Sequence, residues 1–336
     1  MTNIGETLTS DDVTSYTPQA KRRRYNTSTS TDSSSDMDIN LSSSESDMSI
    51  ELKEDEELEI RNIDQGASLE ESPEYAEDID NYLRKLEEQF KPKAGYMLKQ
   101  RYITLANRST VTDWMFEICD EFRLTQKIFQ LGVTYVDRFL SKMSMSTKHL
   151  QLLGTAALFI ACKVEEQCAP GLAASFVWLT DNTYSVDQLF KMEVMILNTL
   201  DYEINSPTTR DFQDRFLKAS DGDSAEQFFT EYLCNRSQVH GDTFLRYTPS
   251  LVTAAAVGLS RVIQTPSAPL WTPTLTHYTH HTFPEIRECM SELLQLYKLD
   301  SNPDTRCYPA VWNKYCLPRF KCVLEKQPVQ SIPLYH

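Results

Sequence analysis

Glycine is scarce, nine residues in 336, against an ordinary share of roughly 7%. Sheets with tight turns, dinucleotide folds and phosphate-cradling loops need glycine for positive φ or close backbone approach. Neither G-x-G-x-x-G nor G-x-x-x-x-G-K occurs, so those enzyme classes are excluded. The eight cysteines, Cys119, Cys162, Cys168, Cys234, Cys289, Cys307, Cys316 and Cys322, include no C-x-x-C pair, so no zinc site of the usual spacing and no redox motif is expected. Several lie inside apolar helical patterns, where a free thiol serves as a small hydrophobe. The opening MTNIGETLTS has no apolar run to act as a secretory signal, and no 18-residue apolar stretch occurs anywhere; the expectation is a soluble protein of a reducing compartment, with no membrane partner. Excess basic charge is missing too. The net charge of −15 arises in the first quarter: residues 1–30 sum to +1, residues 31–80 to −16, and the remainder to zero. A neutral body without clustered Lys and Arg is a poor nucleic-acid binder, so no nucleic-acid partner is expected.

What is present falls into parts. Residues 1–72 are rich in Ser, Thr, Asp and Glu, with STSTDSSSD at 28–36 and ELKEDEELE at 51–59; such a segment cannot bury enough apolar surface to offset its ordering entropy and reads as a disordered regulatory tail. Its basic tetrad Lys21, Arg22, Arg23 and Arg24 reads as a nuclear import signal, hence a nuclear protein. Thr17-Pro18 and Ser72-Pro73 suit proline-directed phosphorylation. Residues 73–104 form an N-terminal helix and linker, in which Tyr75, Ile79, Tyr82 and Leu86 make one apolar stripe at i, i+4, i+7, i+11.

Helical patterns then cover 108–121, 126–141, 148–166 and 185–200, the second carrying the stripe Phe129, Val133, Val136, Leu140. QLLGTAALFIACK, from Gln151 to Lys163, is apolar or small at nearly every position, which predicts the central helix of a bundle. Ser185 and Gln188 form a capping box that fixes the start of the next helix. Sliding the chain by 98 residues brings Thr155-Ala156-Ala157 onto Thr253-Ala254-Ala255, Lys163 onto Arg261 and Asp137-Arg138 onto Asn235-Arg236. One residue of slip then brings Ile196, Leu197 and Leu200 onto Leu293, Leu294 and Tyr297. The expected fold is all-α, with two tandem five-helix bundles at 105–204 and 205–300 and a C-terminal extension at 301–336. Ser206-Pro207 suits the join, with Ser as cap and Pro in the first helical turn.

Catalytic signals are weak. His277 and His281 have the i, i+4 spacing of a helix-borne metal pair, without the Glu of H-E-x-x-H, and read as surface histidines. Glu165 and Glu166 end the buried helix and read as solvated. No Ser/His/Asp or Cys/His signature occurs; no metal, cofactor or enzymatic activity is expected. The informative charges are those set in apolar context: Arg108, Asp113, Asp137, Lys163 and Glu193. Arg108 and Asp137 read as a buried structural ion pair. Lys163 and Glu193, placed at the ends of different helices, read as pointing outward toward a partner.

At these residues the chain resembles the cyclin family, most of all its A type. The stretch from Arg108 through DWMFEI, YVDRFLSKMSM, KHLQLLGTAALFIACKVEE, FVWLTDNTYS and KMEVMILNTLDYEINSPT is similar to the first cyclin box, and YAEDIDNYLRKLEEQFKPKAGYMLKQ at 75–100 to the A-type segment before it. The resemblance implies a regulatory subunit that binds and activates a cyclin-dependent kinase to drive cell-cycle progression through S phase or mitosis. It implies that Lys163 and Glu193 hydrogen-bond the backbone of the kinase's regulatory helix, and that Val164, Leu197 and Tyr202 pack against that helix. Tyr75, Ile79 and Tyr82 would contact the kinase's C-terminal lobe. The alternative is an adaptor of the same fold that binds other proteins without activating a kinase. The family's substrate-docking patch begins Met-Arg-Ala-Ile-Leu, whereas this chain has Asn107, Arg108, Ser109, Thr110 and Val111, while Trp114, Glu117 and Gln151 match it; docking of Arg-x-Leu substrates or inhibitors is expected to be weakened. In the tail, no Arg is followed three positions later by Leu, and Lys53-Glu54-Asp55 is one residue from the family's Lys-Glu-Asn degradation signal. The family's usual route of proteolysis is therefore not implied.

Overall fold

The computed structural model describes residues 60–65, 73–165 and 171–333. Among them the backbone forms twelve α-helices joined by short loops and 3-10 turns, with no strand. Helix α1 (Ala76–Gln89) precedes a first unit of α2 (Leu105–Glu121), α3 (Gln126–Lys142), α4 (Leu150–Val164), α5 (Leu172–Trp178) and α6 (Val186–Thr199). The second unit is α7 (Thr209–Ser220), α8 (Ser224–His240), α9 (Pro249–Gln264), α10 (Pro273–Thr279) and α11 (Phe283–Ser301), with α12 (Ala310–Tyr315) in the extension. The expected two five-helix units are thus present.

Local chemistry sets the helix starts. Thr104 with Asn107 and Ser185 with Gln188 make reciprocal capping boxes at α2 and α6, satisfying backbone donors that the first turn leaves open. Thr248-Pro249 and Thr272-Pro273 place a capping Thr directly before a proline whose fixed φ suits the first helical position. At the join the structure corrects the expected cap. Thr208, not Ser206, is the N-cap, and the Asp211 carboxylate accepts from the Thr208 amide at 2.8 Å. Ser206 instead accepts from the Arg138 guanidinium at 2.7 Å.

Helix α4 is buried over nearly its whole circumference and packs on α2, α3, α5 and α6. Gly154 makes this possible, because a Cβ there would lie 3.0 Å from Val111 Cγ1 and 3.1 Å from Met115 Sδ. Helix α9, rich in Ala and Gly, takes the same central place against α7, α8, α10 and α11.

The two units meet along a polar seam. The Arg108 guanidinium donates twice to Asp137, at 2.8 and 2.6 Å, and its remaining donors reach across to the carbonyls of Gln238 and Val239 at 2.8 and 3.0 Å. The Tyr96 hydroxyl adds a bond to Asp137 at 2.6 Å. Burial alone would lower Arg108, but the adjoining Asp137 carboxylate overrides it and holds the guanidinium charged, above its ordinary value. Gly241 belongs to this strut: it sits at φ 72°, and a Cβ on it would fall 2.4 Å from Arg108 Cζ. Helix α12 closes the seam, packing on both α2 and α8, with the Ala310 amide donating to Asp113 at 3.2 Å. Burial and the nearby Glu117 carboxylate push Asp113 up to about 7.

Helix α1 inverts the naive amphipathic reading. Of the apolar stripe only Leu86 is buried, while Tyr75, Ile79 and Tyr82 face outward. The inward side carries Asp80, Leu86 and Glu87. Glu87 accepts from the Ser250 amide and hydroxyl at 2.8 and 2.7 Å, and Arg84 donates to the Thr279 carbonyl at 2.9 Å. Polar bonds to the second unit therefore hold this helix, and its apolar side chains are left exposed.

Residues 60–65 correct the reading of residues 1–72 as a disordered tail, since Ile63 is buried against the second unit. The tetrad Lys21–Arg24, Thr17, Lys53–Asp55, Ser72, Glu166 and Cys168 lie outside the described residues.

Candidate functional site

Among the exposed apolar side chains of the first unit, Val164 ends α4, Phe190, Val194 and Met195 lie on α6, and Tyr202 follows it. Glu193 is not at a helix end, as the sequence reading had it, but in the middle of α6 and buried. It does not point outward; it forms an ion pair with Lys163, whose side chain is 41% exposed against 10% for the carboxylate. The Lys163 ammonium also lies 4.5 Å from the centroid of the Phe159 ring, a cation–π arrangement that orients it. Phe159 in turn meets Phe176 of α5 at 5.8 Å and Phe190 of α6 at 6.1 Å. The charged pair is thus set on an aromatic base.

Around it, Val164 and Tyr202 are exposed and Leu197 is half-buried. Tyr202 follows α6 with φ 59°, its amide bonded to the Leu197 carbonyl at 2.9 Å, so the turn that ends α6 presents the ring. The sequence reading missed Phe190 and Val194, both exposed. They stand with Leu197 at i, i+4, i+7, beside Glu193 at i, i+3 and i+4. The signal was available: two faces of α6 are apolar, and one bundle can cover only one of them.

The residues expected to form a docking patch scatter in role. Arg108 is wholly buried in the seam and lines no surface, which corrects its place in that patch. The Asn107 side chain is spent on the α2 cap, and the Thr110 hydroxyl on the Ala106 carbonyl at 2.8 Å. Val111 packs over Gly154. Trp114 and Gln151 are half-buried, and Glu117 is exposed.

His277 and His281 do not form a metal pair. His277 is exposed and packs edge-on to Tyr278, while His281 is half-buried and lies 3.1 Å from the Ser250 hydroxyl. Burial and nearby Arg84 push His281 down to about 4, so its ring is neutral at pH 7. Among the described residues no group of three or more His, Cys, Asp and Glu could hold a metal, and no helix is long and apolar enough to cross a membrane.

Two tandem helical units of this kind, each built round a small-residue helix, also mark a known family. Residues 78–205 match the family described as cyclin, N-terminal domain, and residues 207–328 the cyclin, C-terminal domain. The chain belongs to the cyclin family. Its similar relatives are A-type cyclins. The G2/mitotic-specific cyclin-A of Hydra viridissima is 37% identical over 262 residues, covering 77% of this chain and 61% of the relative. Human cyclin-A1 is 38% identical over 255 residues, covering 76% and 54%, and Xenopus laevis cyclin-A2 is 36% identical, covering 78% and 62%. The cyclin thus spans less than two thirds of the length of these relatives. In fold it resembles a viral cyclin from Herpesvirus saimiri, with a TM-score of 0.55 at 21% identity, covering 65% of this chain and 98% of that one.

Proposed function

We propose that this cyclin is the regulatory subunit of a cyclin-dependent protein kinase, acting in cell-cycle progression through S phase or mitosis in the nucleus. The observation that carries the reading is the Lys163–Glu193 pair, mounted on Phe159 and ringed by the outward apolar side chains Val164, Phe190, Val194 and Tyr202. An ammonium and a carboxylate are the donor and acceptor types that bond backbone carbonyls and amides at the end of a partner helix. The apolar ring beside it would bury that helix's side chains.

A protein kinase works only when its αC glutamate pairs with the β3 lysine and its activation loop is arranged. A rigid surface that binds only the inward position of αC shifts that equilibrium by its differential affinity for the two states. The cyclin itself performs no chemistry in this scheme. The outward stripe Tyr75, Ile79 and Tyr82 on α1 supplies a second contact, to the kinase's C-terminal lobe, and together the surfaces suit an interface of order 2,000 Å² or more. Substrates or inhibitors bearing Arg-x-Leu would dock weakly, because Asn107 and Thr110 replace apolar area at that patch.

The test is the full chain titrated against candidate kinases. Lys163→Ala and Glu193→Ala are each expected to lower kinase affinity and activation at least tenfold, about 1.4 kcal/mol. Full activation by both variants would end this assignment.

A further inference from the structure

Residues 60–65 occupy a built groove between α7 and α10. The Arg61 amide donates to Thr274 Oγ1 at 3.0 Å, and the Ile63 amide donates to the Tyr278 hydroxyl at 3.2 Å. The amides at i and i+2 thus both bond to hydroxyls of α10. Between them the Ile63 side chain is 4% exposed. Charges flank this apolar knob on both sides. The Arg61 guanidinium donates to Asp221 Oδ1 at 2.9 Å and to the Lys218 carbonyl at 2.6 Å. Asp64 takes a two-pronged bond from Arg215, at 2.8 and 3.1 Å, and the Arg215 guanidinium lies over the Tyr278 ring at 5.0 Å. Asn62 accepts from the Asp64 and Gln65 amides at 2.9 and 3.2 Å, shaping the turn from within the segment.

Each feature of Arg61–Asp64 therefore has its own receptor: a cation site, an apolar pocket, an anion fork and two side-chain hydroxyls that accept from its amides. We propose that the α7–α10 groove is a peptide-docking site for a short Arg–x–apolar–Asp segment, which the chain's own Arg61–Asp64 fills in cis. The inference is independent of kinase binding. The partner that fits is a protein presenting a segment of that chemistry, which must displace the resident one.

Tethering decides who wins. Eight peptide units separate Gln65 from Pro73, and a tether this short gives an effective concentration of order 1 mM. A segment that binds in trans with a Kd of ~0.1 mM would then fill the groove about nine-tenths of the time in cis. Occupancy would be read nearby. Asp64 walls a cleft of about 460 Å³ together with Ala76, Ile79 and Leu83 of α1 and Phe212 of α7, so the groove adjoins the outward stripe of α1.

The probe is a fluorescent peptide of sequence IRNIDQ, titrated by anisotropy against full-length chains. The opened variant Ile63→Asp/Asp64→Arg, whose own segment is repelled by Arg215, is expected to bind it at least tenfold more tightly than wild type. Adding Arg215→Glu to the opened variant should remove at least tenfold of that affinity. Equal binding to wild type and opened chain, no binding to the opened chain at millimolar concentration, or indifference to Arg215→Glu overturns the proposal. Should the opened variant lose its helical circular dichroism, hydrogen exchange on the wild-type chain reads the same question. The Ile63 amide should exchange about tenfold more slowly than in the free peptide; equal rates overturn the proposal.

Discussion

The two cyclin domains share a layout yet treat the same position in opposite ways. Lys163 near the end of α4 and Arg261 near the end of α9 correspond in the repeat. The lysine side chain is 41% exposed and the arginine 5%. Arg261 donates to the Ser220 carbonyl at 2.5 Å and to the Pro269 carbonyl at 2.8 Å, with Glu226 at 3.8 Å. Corresponding residues on the last helix diverge similarly. With the one-residue slip, Glu193 falls on the buried Met290, and the exposed Phe190 and Val194 fall on Arg287 and Ser291.

The extension completes the contrast. Gln264 at the end of α9 donates to the Val323 carbonyl at 3.0 Å, Lys326 returns a bond to the Gln264 carbonyl at 2.7 Å, and Lys298 of α11 donates to the Gln330 carbonyl at 2.6 Å. The chain thus lies across the ends of α9 and α11, the place that corresponds to the open α4–α6 face. Among the described residues of the second domain, Leu299 is the one large apolar side chain left exposed, whereas the first domain exposes nine from Leu105 to Tyr202. Duplication yields two equivalent faces. One is sealed by the chain and polar at its rim, and the other is apolar and open, as a surface reserved for another molecule should be.

Four variants test that asymmetry. The largest effect is expected at the strut both domains share. Arg108→Ala leaves Asp137 buried without its cation and frees the Gln238 and Val239 carbonyls, so thermal or urea unfolding should show a loss of about 3–5 kcal/mol. A loss below 1 kcal/mol would mean the seam is not what joins the domains. Next comes Arg261→Ala, which strands the Ser220 and Pro269 carbonyls and should lower stability by about 2 kcal/mol while leaving kinase affinity unchanged. Lys163→Ala should do the reverse, because a part-exposed pair contributes less than about 1 kcal/mol to stability. If the two variants cannot be told apart by stability and binding, the division of labour fails. The smallest stability change belongs to Phe190→Arg/Val194→Ser, which gives the first domain the surface of the second. Unfolding should shift by no more than about 0.5 kcal/mol, yet kinase affinity measured by calorimetry should fall at least tenfold. Unchanged affinity would remove these two side chains from the interface.

Much of the fold could be read because helix chemistry is local. The all-apolar run from Gln151 to Lys163 permits only a central helix, and Ser185 with Gln188 announces a start that the structure places there. The repeat survived as an offset in small and apolar residues, since both domains need close approach at the same points. Arg108 and Asp137 stood out as charges in apolar surroundings. The Lys163–Glu193 contact, by contrast, was missed although both residues were singled out. Helical spacing says which face a residue occupies on its own helix, not which neighbour lies opposite. Ile63 escaped for a related reason, because composition averages over a segment and hides one apolar residue that finds a pocket.

Periodicity, capping residues and the small-residue helices by themselves determined that this chain folds as two repeated helical bundles, because those terms act within a few residues of sequence. Only the tertiary structure decided that the apolar stripe of α1 faces outward and that Arg108 holds the domains together. It alone decided that one of two equivalent faces stays open. These outcomes depend on which groups from distant segments meet, and hydrogen bonds such as Glu87 to Ser250 or Lys326 to Gln264 span 163 and 62 positions. Such partners are chosen by packing in three dimensions, where a buried polar group goes to whatever satisfies it.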